Sequence, residues 1–215
     1  MSLILQGSTS GSITLQEPAV AGTTVLDLPA TSGTILTSAS AISASSITTG
    51  TLPKAQLPTG SVLQVVQTVK TDTFSSSASS FTDITGLTAT ITPTSASNKI
   101  LVMASVVIGH TLNYFVMLRI ARGGSAILQG DVAGSRRQTL GMVYSYPALS
   151  PAANEQTTWS HQVIDSPAST SPLTYSVQAM QDAGATHYVN RLMRDDNASY
   201  EPRSASSLIL MEIAA

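Results

Sequence analysis

The sequence predicts an all-β protein, with an extended N-terminal β segment over residues 1–60 and an antiparallel β-sandwich or jelly-roll knob over residues 61–215. Three observations carry that expectation. Charged residues make up only 10 % of the 215-residue chain, well under the ~25 % usual in soluble domains. Their place is taken by 32 Ser and 27 Thr, and a chain so rich in Thr, Val and Ile fits the pleated, half-buried surface of a sheet. Every aromatic residue lies at or beyond Phe74, whereas residues 1–60 hold three charges, Glu17, Asp27 and Lys54. The two parts of the chain therefore obey different physics.

In the N-terminal segment, short apolar clusters recur about every eleven residues: Ile13-Thr14-Leu15, Val25-Leu26-Asp27-Leu28 and Thr34-Ile35-Leu36. Gly7, Gly11, Pro18, Gly22, Pro29 and Gly33 punctuate them. Short strands with regular turn signals indicate a β repeat or threaded strands. Without aromatics such a segment buries little surface by itself. Residues 37–50 (TSASAISASSITTG) have the composition of a flexible linker. Ile42 and Ile47 among small residues equally suit a tightly wound stalk, which other chains would have to order. Pro53 and Pro58 then stiffen the junction to the knob.

Beyond Gly60 the strands are explicit. In Ser61–Lys70, Leu63, Val65 and Val69 share one face and Gln64 and Thr68 the other, the alternation of a half-buried strand whose apolar side meets the core. Leu87, Ala89 and Ile91 alternate with threonines until Pro93. Ile100–Ile108 (ILVMASVVI) is apolar on both faces, as a central sandwich strand is. Phe115–Ala121 and Ala126–Gln129 read as a hairpin across Arg122-Gly123-Gly124-Ser125, where glycines permit positive φ. Further strands are expected at Thr139–Tyr144, Thr157–Ile164, Leu173–Met180, His187–Met193 and Leu208–Ile213. No helix is convincing, and many short antiparallel strands imply a sandwich or jelly roll.

The chemistry in the sequence is sparse. A net charge of −2 offers no basic stripe for nucleic acid. There are no cysteines for disulfides or thiolate sites. Met1–Gln6 lacks the basic region of a signal peptide, and the longest apolar run is half a membrane span. The chain thus reads as soluble, with no membrane insertion. Ser160, His161 and Asp165 are neighbours in sequence, but adjacent residues of a strand face opposite ways and residues four apart stand roughly 13 Å apart. They form no local triad. No nucleophile elbow, phosphate loop or zinc motif occurs. Asp195-Asp196-Asn197 has the look of an Asx-rich turn more than of a Ca²⁺ loop or a glycosidase carboxylate pair. No catalytic, cofactor-binding or metal-ligating residues are therefore assigned, and a non-enzymatic protein is expected. The candidates for surface binding are Arg136, Arg137, Arg191 and Tyr188, which suit an acidic glycan or a neighbouring protein.

Gly7–Leu36 (GSTSGSITLQEPAVAGTTVLDLPATSGTIL), the joint TGTLP at 49–53 leading to GSVLQV at 60–65, and Thr85–Ile100 (TGLTATITPTSASNKI) resemble segments of tailed-bacteriophage fibre and decoration proteins, above all those of cyanobacterial and marine phages. The resemblance implies a homotrimer with an intertwined N-terminal part that attaches to the virion and an outward-facing β-sandwich knob. Ile13, Leu15, Val25, Leu28 and Ile35 would then line the attachment and trimer interface. The short chain favours capsid decoration or cement, with the major capsid protein as partner. The other reading is a short tail fibre, held by a tail protein, whose knob binds a host-surface glycan. Either way the expected location is the outer surface of the virion, after synthesis in the host cytoplasm.

Overall fold

A computed structural model of the chain describes residues 2–6, 10, 12–16, 53–110, 115–144, 155–181 and 185–215. The chain divides into two compact units, Met1–Gly50 and Thr51–Ala215. In the first, β1 (Ser2–Gln6) and β2 (Ser12–Gln16) pair antiparallel, with Leu3 opposite Leu15 and Leu5 opposite Ile13. Ile13 and Leu15 thus occupy same-side register positions of one strand. Val25, Leu28 and Ile35 lie outside the described residues. A two-stranded ribbon is marginal by itself in water.

The second unit begins with a 3₁₀ turn at Lys54–Gln56 and continues as strands. In chain order these are β3 (Val62–Lys70), β4 (Phe74–Ser76), β5 (Thr82–Ile91), β6 (Lys99–His110), β7 (Phe115–Arg122), β8 (Ser125–Ala126), β9 (Gly141–Tyr144), β10 (Gln156–Asp165), β11 (Leu173–Gln181), β12 (His187–Val189) and β13 (Ser206–Ile213). No helix among the described residues is long and apolar enough to cross a membrane.

Two antiparallel sheets pack as a sandwich. On one edge of β6 lies β10; along its other edge β13 pairs with Lys99–Ser105 and β12 with Ile108–His110. β3 borders β13, and β4 borders β12. The first sheet is therefore four strands wide: β3/β4, β13/β12, β6, β10. In the second sheet β11 lies between β5 and β7, and β8 and β9 share the far edge of β7. Numbering the eight positions by first appearance gives orders 1-8-3-6 and 2-7-4-5. That is the jelly-roll arrangement of nested Greek keys, as the sequence led one to expect.

The core lies between the sheets. Its first layer is Ile100, Val102, Ala104, Val106 and Ile108 of β6 with Leu208 and Leu210 of β13; its second is Leu87, Ala89 and Ile91 of β5 with Leu118, Ile120, Tyr175 and Val177. The β7–β8 hairpin turns on Gly123 (φ 55°) and Gly124 (φ 83°), two successive positive-φ residues that match the right-handed twist of the strands.

Three strand expectations are corrected. The second strand of the hairpin, expected over Ala126–Gln129, covers Ser125–Ala126 alone. β3 is turned over relative to the sequence reading: Gln64, Val66, Thr68 and Lys70 point inward, and Val65 and Val69 outward. The cause is its position at the sheet edge, facing the edge strand β5, where hydrogen bonds close the gap between sheets. Gln64 donates to Glu212 Oε2 at 2.6 Å and to the Thr92 carbonyl at 2.7 Å, and Thr68 donates to the Thr88 carbonyl at 2.9 Å. The strand expected over His187–Met193 stops at Val189. Asn190, buried at φ 61°, ends it. Its side-chain amide donates to the Lys70 and Asp72 carbonyls at 2.8 and 3.0 Å, and its Oδ1 accepts from Ser206 Oγ at 2.6 Å.

Polar groups also tie strands across the sandwich. The buried Glu212 carboxylate accepts at Oε1 from Thr94 N, Thr94 Oγ1 and Asn98 Nδ2 at 2.6, 2.7 and 2.6 Å. Burial acts to raise its pKa, but the hydrogen bonds from Asn98, Thr94 and Gln64 outweigh it and the group titrates below the ordinary carboxylate value. Asp165 of β10 accepts from Arg122 of β7 and, at 2.7 Å, from the Tyr175 hydroxyl of β11, closing the opposite side. Replacing Glu212 by Gln turns a donor toward these donors, and denaturant unfolding should report a loss of about 2 kcal/mol. His187 is fully buried beside Phe74, with neither ring nitrogen hydrogen-bonded among the described residues, and burial lowers its pKa from 6.5 to about 4. A base whose folded pKa is depressed stabilises the fold fully above pH 6.5 and loses that contribution as the pH falls toward 4. About 3 kcal/mol should disappear over that interval, and the H187L variant should show a flatter stability profile between pH 7 and 4.5 than the wild type.

Candidate binding surfaces

The surface residues singled out from the sequence fall into two groups. Arg191 and Tyr188 belong to the chain entering the 190–205 loop, which leaves the first sheet after β12 and returns at β13. Gly109 lets the loop start there, since a Cβ at that position would lie 2.3 Å from the Arg191 carbonyl oxygen. The Arg191 guanidinium stacks 4.3 Å from the Tyr188 ring centre, and its Nη1 lies 3.5 Å from Asp195 Oδ2. It also donates to the carbonyls of Leu192 and Met193. Arg203 pairs with Asp195 at 2.6 Å, and Arg194 pairs with Asp196 and with Glu201 at 3.1 Å. Three arginines meet three carboxylates, so the loop is internally neutral. Asp195-Asp196-Asn197 lie in the loop between β12 and β13, bent at Asp196 with Asn197 at φ 60° and the acids held by arginine; the hydrogen-bonded turn follows at Ala198–Glu201.

The second group lies on the outer face of the second sheet. Arg119, pointing outward from β7, donates from Nε to Gln178 Oε1 at 2.8 Å, and its guanidinium covers the Phe81 ring at 4.1 Å. Gln178 and Ser176 both donate to Asp83 Oδ1, at 2.9 and 2.7 Å. Arg137 reaches this face from the 127–140 loop, with Nη1 3.4 Å from the Ser79 carbonyl oxygen and 3.9 Å from Met180 Sδ. Together Arg119, Arg137, Phe81, Gln129, Gln138 and Met180 line a groove of about 360 Å³. Among the described residues neither guanidinium has a carboxylate partner. Arg136 bonds back to the Ala133 carbonyl at 3.4 Å and stays exposed. Sequence reasoning missed Arg119, although a lone arginine at an outward period-2 position of an apolar strand was a usable signal.

The catalytic reading gains nothing from the geometry. His161 stacks on Trp159 with ring centres 4.7 Å apart, while Asp165 is engaged by Arg122 and Tyr175. Ser160, His161 and Asp165 do not converge. Among the described residues, no three His, Asp or Glu side chains gather as a metal site.

No protein-family model matches the chain, and no curated protein matches it. Solved structures similar to it include one of the Gx strain of infectious bursal disease virus, with 13 % identity over 71 % of this chain and a TM-score of 0.35. A mutant VP2 protein of the same virus, in derived T=1 particles, is similar at 12 % identity over 71 % of the chain, also with a TM-score of 0.35. The chain spans 37 % and 36 % of the lengths of those two proteins.

Because Arg191 is committed to its own loop, the R191A variant should expose residues 190–205 to faster proteolytic cleavage while lowering global stability by less than about 1 kcal/mol. Limited proteolysis beside a denaturant titration separates the two effects.

Proposed function

We propose that the chain is a non-enzymatic, homotrimeric structural protein on the outer surface of a tailed-phage virion, decorating or cementing the capsid through contacts with the major capsid protein. The observation that carries this reading is the division of labour along the chain. A segment without aromatics and with three charges in 60 residues precedes a jelly roll whose ionic groups largely pair with one another. The N-terminal segment needs other chains to bury its apolar clusters, with Ile13, Leu15, Val25, Leu28 and Ile35 at the contacts. The knob needs none of its charged loops for catalysis.

A second reading, a short tail fibre that is attached to a tail protein and binds a host-surface glycan, is favoured by one feature. The groove holding Arg119 and Arg137 offers two guanidinium groups, an aromatic ring and amides, a set that suits an acidic sugar. Location on the particle separates the two. Quantitative mass spectrometry of purified virions should find the protein in proportion to capsid subunits, with immunogold label spread over the head. A few copies confined to the tail would remove the decoration reading, and loss of acidic-glycan binding in R119A or R137A would then support the fibre. In either setting, deletion of residues 1–60 should leave a folded knob that no longer joins particles; normal incorporation of the truncated protein would refute the attachment role.

A further inference from the structure

The two outer faces of the sandwich differ in charge. That of the second sheet is mixed, carrying Asp83, Arg119, Thr88, Thr90 and Thr174 together with the exposed Met142 and Tyr144 of β9. That of the first sheet presents outward-pointing residues from β3, β13, β6 and β10, and none of them between 63–69, 207–213, 101–107 and 158–164 is charged. One register row crosses all four strands as Val65, Met211, Leu101 and Ile164; the next reads Gln67, Ile209, Met103 and Gln162. Val65 is 55 % exposed, Val69 53 % and Ile164 62 %. Surfaces of soluble domains ordinarily carry about 25–35 % charged residues, and an uncharged stretch with exposed valine and isoleucine side chains is of the kind that marks a contact surface.

We infer that this face is where three copies of the chain meet, sheet against sheet around a common axis. The inference rests on the homotrimer reading above and assigns the knob its own part in it. Absence of charge makes the face compatible with itself, since copies bring no like charges together and desolvate no ionic group. The width fits three copies. Four strands about 4.8 Å apart make a face about 19 Å wide, and sheets packed about 10 Å apart place each about 5 Å from the axis, where a three-sided prism has sides of about 17 Å. Four such faces would leave a wide central hole.

The test is the mass of the full chain in solution, by multi-angle light scattering. The wild type should run at three times its 22.2 kDa chain mass. The double variant V65E/I164E alters the most exposed positions of the face, so it should fold, with unchanged far-UV and near-UV circular dichroism, and run at one chain mass. T88E/T90E, on the opposite face, should remain three-chain. A monomeric wild type would overturn both this inference and the homotrimer reading. A wild type of two chains would overturn the threefold arrangement. A V65E/I164E protein that is still three-chain would overturn the assignment of the face while leaving the homotrimer standing.

Discussion

The register of β6 is the constraint on which the knob depends. That strand is hydrogen-bonded along both edges, and its neighbours inherit their inward and outward positions from it. In most half-buried strands a slip of one residue would bury polar groups and expose apolar ones, so the hydrophobic pattern fixes the register. Here it cannot. Leu101, Met103 and Val107 on one side are nearly as apolar as Val102, Val106 and Ile108 on the other. Polar contacts at the two ends do the fixing instead. At the N-terminal end Asn98 and Thr94 converge on Glu212 of β13. At the other, Val107 donates its N–H to Ser206 Oγ at 3.0 Å and accepts from the Asn190 N–H at 3.0 Å, while Gly109 admits the Arg191 carbonyl. These bonds have one geometry, and a slipped strand would leave a buried carboxylate and a buried amide without partners.

This explains what was legible in the sequence. Strands whose periodicity was unambiguous, such as Leu87, Ala89 and Ile91 in β5, and turns with a steric signature, such as Gly123-Gly124, could be placed from the residues alone. So could the both-sides apolar character of β6, which pointed correctly to a central strand. The orientation of β3 could not. Alternation reveals that two faces differ, not which of them meets the core, and the rule that apolar faces point inward fails when a second apolar surface exists outside. The end of β12 was hidden for a related reason. Val189-Asn190-Arg191-Leu192-Met193 reads as a continuing strand until Asn190 is seen to bond Lys70, Asp72 and Ser206, residues distant in sequence.

The binding surfaces were legible in part, by the same logic. Arg191 stacks on Tyr188, three residues before it in the sequence, yet a count of charges could not tell that Asp195 would hold the guanidinium. Arg137 gains its setting from Arg119 on a strand more than ten residues away and from Phe81 beyond it. An arginine's availability is decided by long-range pairing, which composition does not carry. The structure distinguishes a loop whose three arginines meet three carboxylates from a groove whose two arginines meet carbonyl, amide and sulfur acceptors.

The low charge of the chain acquires a location from this. Of the ionic groups in the knob, Lys70 pairs with Asp72, Arg122 with Asp165, and the 190–205 loop neutralises itself. Charges therefore gather at sheet edges, at strand ends and in loops, and the outward residues of the first sheet between 63–69, 207–211, 101–107 and 158–164 carry none. An average of 10 % spread evenly would have given every surface a few charges and no preference among them. Concentrated as they are, they leave the chain with two deficits: an aromatic-free N-terminal segment whose composition can offset little of its own ordering entropy, and a sheet face of the knob whose exposed apolar residues water solvates poorly. The proposed homotrimer would answer both, the first by supplying a shared core and the second by covering one uncharged face with another.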